Sequence, residues 1–405
     1  MGSAAAVELM RADGRQVSLL LVDRDADRLR ELAATLSRAA VEHGGRGTAG
    51  VIATHVGDTD EQATLELIGA CDVVATALSW TAARSVTRFA IDRGLPVVGI
   101  GRPALDPRAE FGVAGRAPFI AGAGLEPGLT EILARRLAAV FDPGVRLRLY
   151  CGGVPRRPRP PLRHVSWYGP QLTITARPAY RVAAGRLEAV ERFSGVEMVD
   201  VPGVGVLEAF HDGLLPWIGT DSVLGAAMDI EQKTLRWPGF SAKVLTLNEL
   251  GLLSETPVAT PEGPARPRAV LDVLLRPHIE RRPGDEDATV LVVEASGTIA
   301  GSPATRSTAV VAAPDPDFGI TGMGRLTGGV MAAAVRLLAE RGTRGGSAAA
   351  EPTGVLHAHE AFSGDRAENL LGDLRREGVS IVDRPNPWTR RLGGECPFED
   401  SDQRV

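Results

Sequence analysis

Phe119 to Pro155, FIAGAGLEPGLTEILARRLAAVFDPGVRLRLYCGGVP, is where one fold pattern gives way to another: a glycine-rich turn, an amphipathic helix, and a strand ending in two glycines. Gly122, Gly124 and Gly128 permit backbone conformations and close approaches that a side chain forbids, and Pro127 suits the entry to a helix. Leu129, Ile132, Leu133, Leu137, Ala138 and Phe141 recur at steps of three and four, which predicts a helix with one buried face. Glu126 lies in the turn beside that helix start, and two readings are open for it. One is a first-turn acid favoured by the helix dipole. The other is a residue at the mouth between two domains.

Ahead of this stretch the chain alternates. Residues 3 to 12 read as helix; Val17 to Val22, VSLLLV, is a continuous apolar run of strand length, as expected of a strand buried on both faces. A helix over Asp27–Ala40, a strand over Gly50–Val56 running into GDTDE and a helix over Glu61–Ile68 follow. Then come a strand over Cys71–Leu78, a helix over Ala82–Arg93 and a strand over Leu95–Ile100. Helices alternating with buried strands predict a doubly wound, Rossmann-type parallel sheet. After the stretch, VRLRLY, QLTITA, GVLEAF, TLRW and TVLVVEA predict a mostly antiparallel sheet backed by helices. The expected division is a Rossmann-type domain over 1–123, an α+β substrate domain over 124–319, a segment over 320–384 returning to the first domain, and a mobile tail over 385–405.

Composition narrows the function classes. The 405 residues are 44% hydrophobic and 23% charged, a globular balance, and a net charge of −5 with pI near 5.9 argues against nucleic acid as partner. The basic run PRRPRPP lacks interleaved aromatics and reads as a loop. Cys71, Cys151 and Cys396 are odd in number and far apart, which fits a reducing, cytoplasmic setting without a disulfide framework, and they form no metal pattern. No signal peptide and no membrane-length apolar run is visible.

Asp23, after the first strand, stands about 20 residues beyond Gly2, the spacing between a phosphate-loop glycine and the acid that holds a ribose in dinucleotide folds. Met1 and Gly2 look like the last two positions of such a loop. The expectation is therefore that the sequence starts inside the motif, with the first strand missing; the plainer reading is a frayed terminus and a strand-end turn acid. Arg24, beside Asp23, suits a 2′-phosphate, so NAD and NADP both remain open. Asp58 in GDTDE, and Ala75, Thr76 and Ala77 at the end of the third strand, complete the candidate cofactor positions. Trp80, Arg84 and Arg102 occupy the same ends of the strands, where such sheets bind ligands, or are plain surface residues.

Six passages in one order resemble the saccharopine dehydrogenase family: GLEPGLTEIL, YCGGVP, VSWYGP, KTLRWPGF with LNELGLL, TGMGRLTGGVMAAAVRLLAERG, and GVLHAHEAF with VSIVDR. The family's own forms are close to GLDPG, YCGGLP, FSW and TLRYxGF, and the likeness runs from Gly2 to about Arg384. It implies an oxidoreductase that uses NAD or NADP on a carbon–nitrogen bond, joining or splitting an amino acid and an aldehyde-bearing amino acid through an imine. The implied partners are a small amino acid substrate and a second copy in a homodimer, with neither nucleic acid nor membrane.

Such chemistry needs a fixed cation for a carboxylate, and Arg236 in KTLRWPGF is the candidate; its plain reading is a structural ion pair. Tyr150 and Trp167 are candidate walls of the substrate site or ordinary core. Gly153, with Gly152, lets backbone approach a ligand or forms a bulge. Glu126 replaces the family's aspartate and is the candidate for handling the proton on nitrogen. The strand end ATALSW lacks the family's proline, and VVGIGRP lacks the hydroxyl and tyrosine cluster of the lysine-pathway enzymes. Two other readings stand beside the dehydrogenase: a Rossmann-derived binding or regulatory protein, and a carboxylated-polyamine dehydrogenase.

Overall fold

The computed structural model describes residues 1–11, 17–42, 48–51, 61–168, 174, 177–343 and 354–392. The chain divides into two compact units. The first comprises Met1–Ile132, Asp315–Ile320 and Gly324–Arg376; the second comprises Leu133–Pro314, Thr321–Met323 and Glu377–Val405.

The first unit holds parallel strands, with Cys71–Leu78 and Leu95–Ile100 realised as Val74–Thr76 and Val97–Gly99 and with Pro118–Ala121 and Gly354–His357 added beyond the sequence reading. Gly354–His357, Pro118–Ala121, Val97–Gly99 and Val74–Thr76 form a four-stranded sheet in that order, all parallel. Val97, Val98 and Ile120 are fully buried, as continuous rather than alternating hydrophobicity requires. A separate parallel pair joins Ser18–Leu21 to Thr48–Val51. Among the described residues no strand pairs with the free edge of Val74–Thr76. The Gly50–Val56 expectation holds only to Val51, since residues 52–56 lie outside the described residues. The sequence reading overlooked the helix Pro107–Phe111, which Asp106 caps by accepting the Arg108 amide at 2.9 Å.

The helix Gly2–Met10 is buried on nearly every side from Ala4 to Met10, and it carries a charge inward. Glu8 and Asp315 both bind Arg11, at 3.3 and 2.6 Å, and the Arg11 guanidinium lies 4.3 Å from the centre of the Phe318 ring. Gly328, on the helix Gly322–Thr343, makes the close crossing: a Cβ there would sit 2.7 Å from the Ala5 nitrogen.

The second unit is built on a ten-stranded mixed sheet. Its main path is Ser380–Arg384, Ser302–Ala312, Asp287–Ile299, Arg146–Pro155, Asp229–Arg236, Gly205–His211, Glu197–Val201 and Arg390–Leu392. The hairpin Ala179–Ala183 with Arg186–Val190 branches from Asp229–Arg236. The pairs along this path are antiparallel except Arg146–Pro155 with Asp229–Arg236. One face carries Tyr150, Val199, Leu207, Leu235 and Val292; the other packs Phe210 against Phe240 and Val244 of the helix Phe240–Glu249 and against Leu271 and Leu275 of Pro267–Ile279.

The expected α/β class, a Rossmann-type sheet plus an α+β unit, is what the chain adopts. Two segments differ from the sequence reading. Ser380–Arg384 adds to the large sheet through Ser302–Ala312, and Arg390–Leu392 pairs with Glu197–Val201, so the start of the expected mobile tail is a strand. Most of QLTITA lies outside the described residues.

Candidate active site

In the first unit the described candidate residues lie near the ends of parallel strands belonging to two separate sheets. Past Ala121 the chain turns back on itself: the Gly124 amide donates to Pro127 O at 3.1 Å and the Leu129 amide to Gly124 O at 2.8 Å. Gly128 has φ +135, and a Cβ on it would lie 2.1 Å from Gly124 O, so this turn admits no side chain there. The peptide Glu126–Pro127 is cis. Glu126 is partly exposed and receives Arg102 Nη1 at 3.3 Å; Arg102 comes from the loop after the neighbouring strand Val97–Gly99.

The acid that closes the helix start is Glu131, which sequence reasoning passed over. It occupies the third position of the helix Leu129–Ala138, and its carboxylate reaches back to the Gly128 amide at 2.7 Å while Thr130 Oγ1 donates at 2.6 Å. The signal was legible as T-E three residues into a predicted helix. The side chain is 1% exposed and Oε1 has no partner among the described residues. Burial, reinforced by the negative charge of Glu126, pushes its carboxyl up to about 7, against hydrogen bonds from Gly128 and Thr130 that pull it down.

A carboxyl raised in the folded state favours folding most when protonated. Stability from this group is therefore full below about 4.5 and lost as pH rises through about 7. At ~1.4 kcal/mol per tenfold change in proton affinity, the loss is about 3 kcal/mol. Urea melts of the wild type should show this decline between pH 5 and 8. Glu131→Gln should flatten it, and an unchanged slope in that variant would refute the assignment.

The candidate cofactor positions are distributed around the strand ends. Gly2 opens the first helix, and a Cβ on it would come 3.0 Å from Ala77 Cβ. Ala75 is exposed on the sheet's edge strand, and Thr76 is buried with its hydroxyl donating to Val98 O at 3.4 Å. Asp23 and Arg24 are exposed beyond Ser18–Leu21, and Asp23 Oδ1 accepts the Asp25 amide at 3.1 Å. Asp58 lies outside the described residues. Trp80 is a core residue, its ring 6.3 Å from Phe119 and 5.8 Å from Phe111, and Arg84 pairs with Glu110 at 2.6 Å. The sequence reading also missed a polar set where Gly354–His357 ends: Arg108 binds Glu360 at 2.6 Å, and His357 Nε2 lies 3.3 Å from Asp106.

In the second unit the predicted substrate residues separate by face. Side chains alternate across a strand, so Gly153 and Cys151 share a face that Tyr150 does not. Cys151 pairs with Thr234, and Arg236 lies two residues beyond, on the same side as Gly153. Trp167 joins this face, its Cδ1 3.4 Å from where a Gly153 Cβ would be. Met323 Cε would lie 2.4 Å from that same Cβ, so the space over Gly153 is filled by side chains rather than left open. Tyr150 faces the opposite way, its hydroxyl donating to Glu197 at 3.1 Å and accepting from Arg391 at 3.0 Å. The expectation that it walls the same site as Trp167 is corrected by strand parity.

Arg236 has the setting of a ligand-binding cation. Nη1 donates to Leu235 O at 2.7 Å, Nε is buried without a partner, and no carboxylate pairs with the side chain among the described residues. Glu208, opposite it in the strand register, is already engaged: its two oxygens accept the Gly239 and Ser241 amides at 2.8 and 2.6 Å. The guanidinium carbon lies 5.7 Å from the centre of the Phe240 ring, and His164 meets that ring edge-on at 5.6 Å. Burial, with the Arg236 charge adding to it, holds His164 neutral, and among the described residues neither its Nδ1 nor Trp167 Nε1 has a partner. Buried polar atoms are rarely left unpaired, so three such groups on adjoining residues mark a place for a polar ligand. A lone histidine in RPPLRHVSW gives no such signal.

Comparison with known proteins adds two findings. The family model described as saccharopine dehydrogenase C-terminal domain matches residues 124–379. The chain is similar in structure to an apo, histidine-tagged saccharopine dehydrogenase (L-Glu forming) from Saccharomyces cerevisiae, at TM-score 0.67 and 16% identity, covering 95% of this chain and 97% of that one. At that identity the likeness is one of fold.

Proposed function

This chain belongs to the saccharopine dehydrogenase family, and from that premise we propose that it is an NAD(P)-dependent oxidoreductase acting on the secondary-amine C–N bond of a saccharopine-like amino acid conjugate, by way of an imine. The observation that carries the reading is Arg236, a half-buried guanidinium that pairs with no carboxylate among the described residues. A planar fork held in that state binds a substrate carboxylate with two parallel hydrogen bonds.

What supports a dinucleotide in the first unit is that Gly2 packs close to Ala77, at the end of Val74–Thr76, leaving 3.0 Å between a Cβ on it and Ala77 Cβ, while Asp23 and Arg24 stand exposed past Ser18–Leu21. Asp23 would hold ribose hydroxyls and Arg24 a 2′-phosphate. When bound, the nicotinamide supplies or accepts the hydride. The chain's own residues do the rest. Arg236 fixes the carboxylate, Trp167 and Phe240 exclude water around it, and Glu126, held by Arg102, takes or orients the proton on the substrate nitrogen.

Supplied with an amino acid, an aldehyde-bearing amino acid and either reduced nicotinamide, the purified chain should oxidise the cofactor only when both organic substrates are present. Tight cofactor binding without oxidation would instead favour a binding or regulatory protein. Oxidation driven by a carboxylated polyamine precursor alone would move the substrate class.

A further inference from the structure

The face of the large sheet that carries Tyr150 also carries a constellation the dehydrogenase reading does not use. Ser194 lies in the turn before Glu197–Val201, His211 ends Gly205–His211, and Glu231 stands on Asp229–Arg236. Ser194 Oγ is 3.2 Å from His211 Nδ1, and His211 Nε2 is 3.5 Å from Glu231 Oε1. We propose that Ser194, His211 and Glu231 form a second catalytic site, a serine–histidine–glutamate triad that hydrolyses small carboxylic esters.

The protonation pattern supports this order of roles. The hydrogen bond from His211, with the nearby positive charge of Lys233, holds the Glu231 carboxyl down at about 2, so it stays ionised. An ionised carboxylate only accepts, which requires His211 to carry its proton on Nε2. Neutral imidazole then presents a bare Nδ1 to the serine hydroxyl, the arrangement of a general base beside its nucleophile. Ser194 Oγ donates to Glu191 O at 2.6 Å in the resting structure, so the hydroxyl turns from that carbonyl to His211 Nδ1, 3.2 Å away, for the base to take its proton.

The turn that carries Ser194 is held from several sides. Phe193 and Gly195, on either side of it, have φ +70 and +61. For phenylalanine that conformation is a strained one, kept by burial against Phe210 at 5.3 Å between ring centroids. Lys233 Nζ grips Gly195 O at 2.7 Å, and the His211 amide donates to Ser194 O at 2.8 Å. A Cβ at Gly195 would lie 2.2 Å from His211 Cε1, so the imidazole is packed against the turn. The amides of Gly195 and Val196 donate to no group among the described residues, and both residues are exposed. Successive free amides beside a left-handed residue form a concavity for negative charge. Ser194 is itself partly exposed and His211 nearly buried, which leaves the nucleophile reachable and its base shielded.

In the proposed step Ser194 Oγ adds to the ester carbonyl carbon while its proton passes to His211 Nδ1, and the oxyanion meets the Gly195 and Val196 amides. The bond to the alkoxy oxygen breaks, that oxygen takes the proton from Nδ1, and the alcohol leaves. Water then adds to the acyl-serine with His211 as base, releasing the carboxylic acid and restoring Ser194. Only the turn at Ser194–Val196 reaches the surface while the face beneath it is buried, so short acyl groups suit the site.

The test uses the full chain with p-nitrophenyl acetate as substrate and a fluorophosphonate as serine probe. One equivalent of label should be found on the Ser194 peptide by mass spectrometry, and nitrophenol release should fall at least tenfold in Ser194→Ala, a partly exposed substitution that leaves nicotinamide oxidation and melting temperature unchanged. Nitrogen-15 NMR of histidine-labelled protein reads the positioning role of Glu231: the neutral His211 ring should be the Nε2–H tautomer, and Glu231→Leu, which removes the acceptor, should move it toward Nδ1–H. Label on another residue, no label at all, or Ser194→Ala hydrolysing at the wild-type rate would each overturn the proposal.

Discussion

Glu126→Gln is expected to lower turnover about a hundredfold or more while leaving the fold intact. The amide keeps the size of the side chain and removes its basicity, which separates proton handling from packing. The competing account, an acid that merely satisfies the start of the following helix, is weakened because Glu131 already accepts the Gly128 amide there, at 2.7 Å. A group acting only through the helix dipole would cost a few tenths of a kcal/mol in stability and nothing in rate. Steady-state turnover across pH decides between them. A Glu126→Gln enzyme with near wild-type turnover and an unchanged pH profile would remove Glu126 from the chemistry.

Arg236→Lys carries the second large effect, because it keeps the charge and discards the geometry. Lysine offers a point charge without the planar fork, and a charge-assisted bidentate contact is worth about 1.5–3 kcal/mol, or about ten- to a hundredfold in kcat/KM. The loss should appear mainly as a raised KM for the carboxylate-bearing substrate, with cofactor affinity unchanged. Glu208 keeps its contacts to the Gly239 and Ser241 amides in this variant, so the melting temperature should move little. An unchanged KM would exclude the clamp.

Local physics was legible in the sequence and long-range pairing was not. Val97 and Val98 read as buried strand because their run is continuous, and they are fully buried. The apolar spacing from Leu129 gave the helix, although its acid cap was assigned no role until Glu131 was seen to reach Gly128. Strand parity was available and unused: Tyr150 and Gly153 are an odd number of residues apart in one strand, and so cannot share a face. The pairing of Arg390–Leu392 with Glu197–Val201 joins segments nearly two hundred positions apart, which no local pattern announces. His164 became informative only when Phe240 and Arg236 were found beside it. Trp80 shows the converse, a residue suited by position to a ligand but occupied with Phe111 and Phe119.

The central claim is hydride transfer to a carbon bonded to nitrogen. It is tested most directly by following deuterium from reduced NAD or NADP, labelled at the nicotinamide C4, into product formed from an amino acid and an aldehyde-bearing amino acid. The account predicts one deuterium on the carbon of the new C–N bond, with incorporation cut sharply in both Glu126→Gln and Arg236→Lys. Cofactor bound with no deuterium delivered to product, under conditions where the chain is folded, would contradict it.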